Sequence, residues 1–225
     1  TVPANFAEKA RGATMEAGKL AGLKKVTIVD EPVAAALLYA TTQSVNGRVL
    51  VYDLGGGTLD VTIVDIDGTD VEVVTTQGDP NLGGKDFDRK LAALLSDKYK
   101  EECGQPMFEG DPDFKLMQDA EELKKTLSRR AQRGNKSAKG QFIGPEGPKS
   151  LEVTPSEFEE VIGTYLSKAE GLIDVALDEA KIDEKGIDHV LLVGGSTRIP
   201  CVQKRLEKRF GQKPSGKVNP EEAVA

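Results

Sequence analysis

The chain has one histidine, His189, and two cysteines, Cys103 and Cys201, in 225 residues. A single histidine excludes a histidine-rich metal site. A Ser-His-Asp hydrolase would rest on His189 alone, and no G-x-S-x-G motif supports one. His189 opens an apolar run and reads as an ordinary strand-end residue. The cysteines lie far apart and form no C-x-x-C unit, so neither a disulfide framework nor a zinc site is indicated. No apolar run approaches the length of a membrane span, and no signal-peptide pattern is visible. An excess of basic charge is missing too: 30 Lys and Arg face 37 Asp and Glu, a net charge of -7. That balance argues against a broad nucleic-acid footprint. The expectation is a soluble cytoplasmic protein, with neither nucleic acid nor membrane as partner. The length allows one large domain or two lobes. Thr1-Val2-Pro3 already reads as the end of a strand, which suggests a piece of a longer protein.

What the chain does have is glycine where strands end. Arg48-Val-Leu-Val-Tyr-Asp-Leu-Gly-Gly-Gly-Thr-Leu-Asp-Val-Thr-Ile-Val64 runs from one strand pattern through Gly55, Gly56 and Gly57 into another. Glycine can take φ > 0 and lets a backbone pass close to a ligand. Successive N–H groups in such a turn can form an anion-binding nest. Asp53 and Asp60 bracket the turn with carboxylates that suit a hydrated cation, and Thr58 adds a hydroxyl. A polyphosphate with its metal would use all of these groups; a plain glycine-rich hairpin turn is the competing reading. A second site is Leu192-Val193-Gly194-Gly195-Ser196-Thr197-Arg198-Ile199-Pro200, where a strand ends in a glycine pair and a helix begins just after. Helix N-termini carry free N–H groups and partial positive charge. The Arg198 guanidinium suits stacking on a planar ring. The Rossmann G-x-G-x-x-G pattern is absent, and a structural strand-to-helix turn competes. Glu121, Lys124, Lys125 and Ser128 share one helix face by their spacing, against a solvated charged face as the alternative. Gly211 to Val218 nearly matches a P-loop, but Val218 replaces the magnesium-binding hydroxyl and the segment reads as a loop.

The coarse pattern predicts a helix from Ala4 to Ala21 and a short buried strand at Val26-Thr27-Ile28-Val29. Pro32 suits a first helical position. It places Glu31 at a strand-to-helix corner, where side chains often face a cleft. Strands near 48–54, 58–66 and 70–77 form a meander, with Asp67-Gly68 as a hairpin signal. Phe87, Leu91, Leu94 and Leu95 mark a helical stripe. A second helix starts near Pro112 with Phe114, Met117, Ala120, Leu123, Leu127 and Ala131 on its buried face. Residues 132–150 read as turns around one short strand at Gln141-Phe142-Ile143. Thr154-Pro155-Ser156-Glu157 is a capping box that opens one long helix with an apolar stripe from Phe158 to Leu177. The strand 189–193 and a final helix follow. This order is the plan of an α/β, actin-like (ribonuclease-H-like) ATPase lobe with an inserted, mainly helical subdomain.

These stretches resemble the nucleotide-binding (ATPase) domain of the seventy-kilodalton heat-shock chaperone family, the DnaK type. The matching residues are Thr1-Val-Pro-Ala4, Glu31-Pro32, Asp53-Leu-Gly-Gly-Gly-Thr58 with Asp60, Leu82-Gly-Gly84 with Asp86-Phe87-Asp88, Val193-Gly-Gly-Ser-Thr-Arg-Ile-Pro200 and Asn219-Pro-Glu-Glu-Ala-Val-Ala225. They occur in the family's order along the whole chain. The resemblance implies a division into 1–46 as a remnant of lobe I, 47–82 and 154–218 as the core of lobe II, 83–153 as the inserted subdomain, and 219–225 as the start of a return to lobe I. It also implies ATP or ADP with Mg2+, and admits K+. Gly55, Gly56, Gly57 and Thr58 would hold the β- and γ-phosphates, Asp53 and Asp60 would organise magnesium through water, and Glu31 would sit near the attacking water. Gly83 and Gly84 would approach the nucleotide. Glu121, Lys124, Lys125 and Ser128 would clasp adenosine from one side, and Gly194, Gly195, Ser196, Arg198 and Ile199 from the other, with Glu221 near the nucleoside. Pro3 and Arg11 would belong to an allosteric switch. Implied partners are a nucleotide exchange factor, a J-domain co-chaperone and, through a domain outside this chain, unfolded polypeptide; the implied context is stress response and protein folding. Lys125 stands where many members have Arg, Glu221 stands where Asp is usual, and 103–113 departs from the family pattern. A small-molecule kinase of the same superfold and a non-catalytic, nucleotide-dependent interaction module are the rivals.

The family's first phosphate loop, of the form Asp-x-Gly-Thr-Thr, and its catalytic lysine have no counterpart in these 225 residues. The chain by itself should therefore hydrolyse ATP at least about a hundredfold more slowly than a family ATPase domain that carries both, because single preorganised charges are worth that much. Steady-state phosphate release from the purified chain measures this; turnover equal to such a domain would refute it.

Overall fold

The computed structural model describes residues 1–4 and 6–215. In chain order the elements are α1 (Glu8–Leu20), α2 (Glu31–Gln43), β1 (Gly47–Leu54), β2 (Leu59–Asp67), β3 (Asp70–Asp79), α3 (Gly84–Cys103), α4 (Phe114–Gln132), β4 (Ala138–Gly144), β5 (Gly147–Val153), α5 (Pro155–Val161), α6 (Gly163–Ala180), β6 (His189–Val193) and α7 (Pro200–Phe210). The main sheet has the order β3-β2-β1-β6. Its first three strands are the antiparallel meander, and β6 runs parallel to β1.

The inner strands β1 and β6 are covered on both faces, which is why they read as near-continuous apolar runs. Alternation along β1 sends Leu50, Tyr52 and Leu54 into the larger core, together with Leu59, Val61 and Ile63 of β2. Val49 and Val51 go to the other face, where Val64, Ile66, Leu191 and Val193 meet Ala35, Ala36, Tyr39 and Ala40 of α2. The small alanines let α2 lie close against the strands. The larger core continues without a break through Phe87, Leu91, Leu127, Phe142 and Leu151 to Phe158, Leu166 and Ile173. At the sheet edge, Glu179 of α6 accepts hydrogen bonds from Thr75 (2.5 Å) and Gln77 (2.7 Å) of β3. His189 opens β6 with its ring edge-on to Tyr39, 6.0 Å between centroids, an ordinary packing role.

Several expectations need correction. Val26–Val29 does not join a sheet: only an isolated bridge pairs Val2 with Asp30, and Thr27 and Val29 are exposed. Without a second partner strand among the described residues, its β-branched run has no ladder to enter. Phe114 stands 78% exposed, and Leu116 takes the buried place instead. The single strand expected at 141–143 is one half of a hairpin, β4 with β5. The capping box at Thr154 and Glu157 is formed, but the long helix it opens is interrupted at Ile162 (φ -95°, ψ 1°). Val161-Ile162-Gly163 combines two β-branched residues with glycine, all weak helix formers.

Candidate functional site

The register of the meander places Asp53 of β1 directly opposite Asp60 of β2. Strand alternation puts both on the α2 face, with Val49 and Val51. Glu31 is the first residue of α2, and its N–H donates to the Val2 carbonyl at 2.8 Å. The three carboxyls feel one another. Burial, with the negative charges of Glu31 and Asp60 added, pushes Asp53 up to about 7. Burial and the Glu31 charge push Asp60 up to about 6. Burial also raises Glu31. Like charges facing each other across an antiparallel pair are destabilising, and perturbed acids cluster at functional sites. A cation suits such a set. Among the described residues no three His, Cys, Asp or Glu side chains group closely enough to hold a metal directly. A cation here would keep its own waters, as Mg2+ does.

Three glycine segments meet beside these acids. The Gly55 carbonyl accepts from the Gly84 N–H (3.0 Å) and from Ser196 Oγ (2.9 Å). The Gly56 carbonyl accepts from the Lys85 N–H (2.7 Å). A Cβ at Gly83 would lie 2.5 Å from the Gly57 nitrogen, and one at Gly84 would lie 2.5 Å from Ser196 Oγ. Gly194 has φ +81°, and a Cβ there would strike the Leu54 carbonyl and come within 2.7 Å of Asp53 Oδ1. At Gly83 and Gly194 the clash is with backbone and the fold itself demands glycine; at Gly84 it is with the Ser196 and Lys124 side chains. Gly56 and Gly57 are different. Neither has positive φ, and a Cβ at either meets nothing within 4 Å. The expected left-handed backbone therefore sits at Gly194 and not in the triple-glycine turn. The space over Gly56 and Gly57 is open, and a Cβ at either would project into it.

The two segments expected to flank adenosine come from α4 and from the turn after β6. Glu121 and Lys125 of α4 form an ion pair at 3.0 Å. Lys124 and Ser128 are buried: Lys124 Nζ donates to the Gly84 carbonyl (3.0 Å), and Ser128 Oγ donates to the Lys124 carbonyl (2.9 Å). Opposite, Gly195 and Arg198 are exposed while Ser196 and Ile199 are buried. Gln132 at the end of α4 donates to the Arg198 carbonyl (3.1 Å) and ties the two walls together. Ser128 and Ile199 also border a groove of about 730 Å³ between α4, α5 and α7. Arg11 of α1 pairs with Asp30 at 2.6 Å and donates to the carbonyls of Ala4 and Phe6, while the Pro3 carbonyl accepts from the Phe6 N–H. Pro3 and Arg11 are thus anchored one residue from Glu31. Glu221 lies outside the described residues. Residue typing missed Asp88, Gln132 and Thr197. Thr197 Oγ1 holds the Gly194 carbonyl at 2.7 Å, and Asp88 forms a buried ion pair with Lys124 at 2.7 Å. Only the Asp86-Phe87-Asp88 motif hinted at the last.

The architecture is α/β, with three glycine segments and the facing acids gathered at the end of the β1–β2 pair. The family model described as "Hsp70 protein" matches residues 1–225. A "Chaperone protein dnaK" of Emiliania huxleyi is 42% identical over 230 residues, covering 100% of this chain and 36% of the relative. A "Stromal 70 kDa heat shock-related protein, chloroplastic" of Pisum sativum is 40% identical over 228 residues (100% and 32%). "Heat shock 70 kDa protein 6, chloroplastic" of Arabidopsis thaliana is 38% identical over 227 residues (100% and 32%). The chain belongs to the Hsp70 family, and with it to the actin-like ATPase fold. It spans about a third of the length of these relatives. The expected cytoplasmic location does not stand, because the two plant relatives are chloroplastic by name. An acidic charge balance and few cysteines fit a plastid stroma as well as a cytoplasm.

Asp53 and Asp60 have folded-state pKa values above the ordinary 3.8, so between about pH 4 and pH 7 the folded state binds more protons than the unfolded. Their contribution is fully present below pH 4 and is lost as pH rises through 6 to 7. The ligand-free chain should melt at a lower temperature at pH 8 than at pH 5.5. Asp53→Asn should raise the pH 8 melting temperature by about 2–6 °C and flatten the trend. Unchanged melting in both tests would contradict the charge cluster. Gly83→Ala should lower the melting temperature by about 3–8 °C, whereas Gly56→Ala should leave it within about 2 °C.

Proposed function

We propose that this chain supplies the adenine-nucleotide grip of a chaperone ATPase that couples ATP binding and hydrolysis to binding and release of unfolded polypeptide. The observation that carries the reading is a pair of glycines, Gly56 and Gly57, where neither a close neighbour nor a positive φ requires glycine, next to the facing acids Asp53 and Asp60. In this reading Gly55, Gly56, Gly57 and Thr58 hold the β- and γ-phosphates through backbone N–H groups and the hydroxyl. Asp53 and Asp60 hold hydrated Mg2+, which supplies positive charge to the phosphate oxygens when bound. Glu31 orients the attacking water and accepts its proton; burial keeps this carboxylate more basic than an exposed one. Phosphoryl transfer of this kind rests on positioning and electrostatics, with little covalent work by the protein.

The adenosine lies between the α4 face (Glu121, Lys124, Lys125, Ser128) and the turn at Gly194, Gly195, Ser196, Arg198 and Ile199. Gly83 and Gly84 close the phosphate end, and Glu221 contributes at the nucleoside. Residues 83–153 act as an inserted subdomain whose α4 carries one wall. Pro3 and Arg11 report the state of the cleft to the rest of the protein, through the Asp30–Glu31 corner. A nucleotide exchange factor, a J-domain co-chaperone and unfolded polypeptide are the partners this reading carries over from the family.

Calorimetric titration of the chain with ADP and GDP in Mg2+ tests the grip. ADP should bind at least about tenfold more tightly. Gly195→Val should lose ADP affinity with its melting temperature kept, since Gly195 is exposed. Equal affinity for the two nucleotides would remove the adenosine assignment. In a longer protein that contains this chain and turns over ATP, Glu31→Gln should keep ADP affinity and cut hydrolysis by about a hundredfold. Hydrolysis at the parent rate would remove Glu31 from the mechanism.

A further inference from the structure

We propose that Asp88 is a positioning residue for the cleft: from behind the glycine junction its carboxylate holds the Lys124 ammonium against the Gly84 carbonyl. The inference rests on the adenine-nucleotide reading of that cleft, and it assigns a role to a residue outside both walls. Asp88 is on the first turns of α3, buried at 4% exposure, and Lys124 on α4 is buried at 7%. Their contact is 2.7 Å, and Lys124 Nζ donates onward to the Gly84 carbonyl at 3.0 Å. Gly84 in turn donates to the Gly55 carbonyl, and the next residue, Lys85, donates to Gly56. One buried acid thus stands at the head of a chain of contacts that ends on the phosphate turn.

The arrangement is poor as pure stabilisation. Burying an ion pair is costly to desolvate, and an apolar pair of the same volume often serves a core as well or better. Burial raises Asp88 even against the Lys124 charge beside it, with Glu121 adding to the rise and Lys125 opposing it. The pair lies where three backbone segments converge, 3.2 Å separating Lys124 Nζ from the place a Gly84 Cβ would occupy. An ammonium has three donors. The Gly84 carbonyl takes one, while the contact with Asp88 is an ion pair that leaves Asp88 Oδ1 without a hydrogen bond, so Lys124 keeps donors for a ligand hydroxyl such as that of a ribose. The Asp88 charge holds the ammonium, and with it the remaining donors, at the glycine junction. Lysine at this position needs such an anchor, because its stem is flexible and its head is a point charge without preferred direction.

Three measurements on the full chain test this. In Asp88→Asn, amide hydrogen exchange at Gly84 and Lys85 should speed up by about tenfold or more relative to the parent, the loss of one charge-assisted contact. Exchange in the β1–β2 ladder should stay as it was. ADP affinity should fall about tenfold, while affinity for 2′,3′-dideoxy-ADP, which has no ribose hydroxyl to offer, should fall less. Parent-like exchange at Gly84 and Lys85 would overturn the proposal. So would exchange that rises uniformly through the sheet, with a lower melting temperature and equal loss of both ligands, since that is a general loss of stability. Lys124→Met separates the two layers of the argument. If it binds ADP and dideoxy-ADP like the parent, the ribose contact belongs to another residue and the nucleotide reading of Lys124 fails. The ligand-free exchange result on Asp88→Asn still decides whether Asp88 braces the junction.

Discussion

One carbonyl oxygen, that of Gly55, joins the parts of this molecule that have to act together. It accepts from the backbone of Gly84 at the start of α3 and from the side chain of Ser196 after β6, while the Gly55 N–H closes the turn on the Thr58 carbonyl at 3.0 Å. The three segments are far apart in sequence and reach this point from different elements. Their approach is close enough that Cβ atoms are excluded at Gly83, Gly84 and Gly194. A buried carbonyl left unpaired costs free energy comparable to a lost hydrogen bond. Pulling α3 away from the strand turn therefore exposes a cost on both sides, and the cleft opens only by breaking this junction. The ties from Gln132 to Arg198 and from Lys124 to Gly84 add to it from α4. Glycine here serves contact between backbones, and freedom of φ matters at Gly194 alone among the cleft glycines.

The α/β class was legible in the sequence because its signals are local. Alternation, the Asp67-Gly68 hairpin and the Thr154–Glu157 box each report on a few neighbouring residues, and each is realised. Failures came where distant residues decide. Val26–Val29 has strand composition but no ladder among the described residues. Phe114 fits a helical stripe by spacing, yet the first turn of α4 packs through Leu116 and leaves Phe114 in solvent. The break at Ile162 follows from weak helix formers that a strong apolar stripe masks.

The same division holds in the cleft. Asp53, Asp60 and the glycine runs stood out because acids and glycines are unusual inside apolar strand patterns. The facing of Asp53 and Asp60 is a property of register, and register depends on pairing, which no single strand records. Lys124 and Asp88 were legible as charges but not as a pair. A charge on a helix is more often solvated than buried, and only packing of α3 against α4 removes the water from this one.

The facing acids would favour a bound cation under the proposed reading. The folded chain holds Asp53 and Asp60 opposite each other, with Glu31 close enough to raise both. That arrangement opposes folding above pH 7, since three carboxyls must be charged in a half-dry place. A proton relieves it at low pH; a hydrated dication relieves it at neutral pH without displacing a side chain. The repulsion relieved by the cation then adds to the attraction it gains, and binding recovers free energy that folding had already spent. Removing an acid should for this reason stabilise the empty fold and weaken the grip at once, the signature of a site under functional rather than structural selection. A hydrophobic pair at 53 and 60 would continue the α2-facing core of Val49, Val51, Val64 and Ile66. The sheet does not need acids there, so their presence is best accounted for by what occupies the space over Gly56 and Gly57.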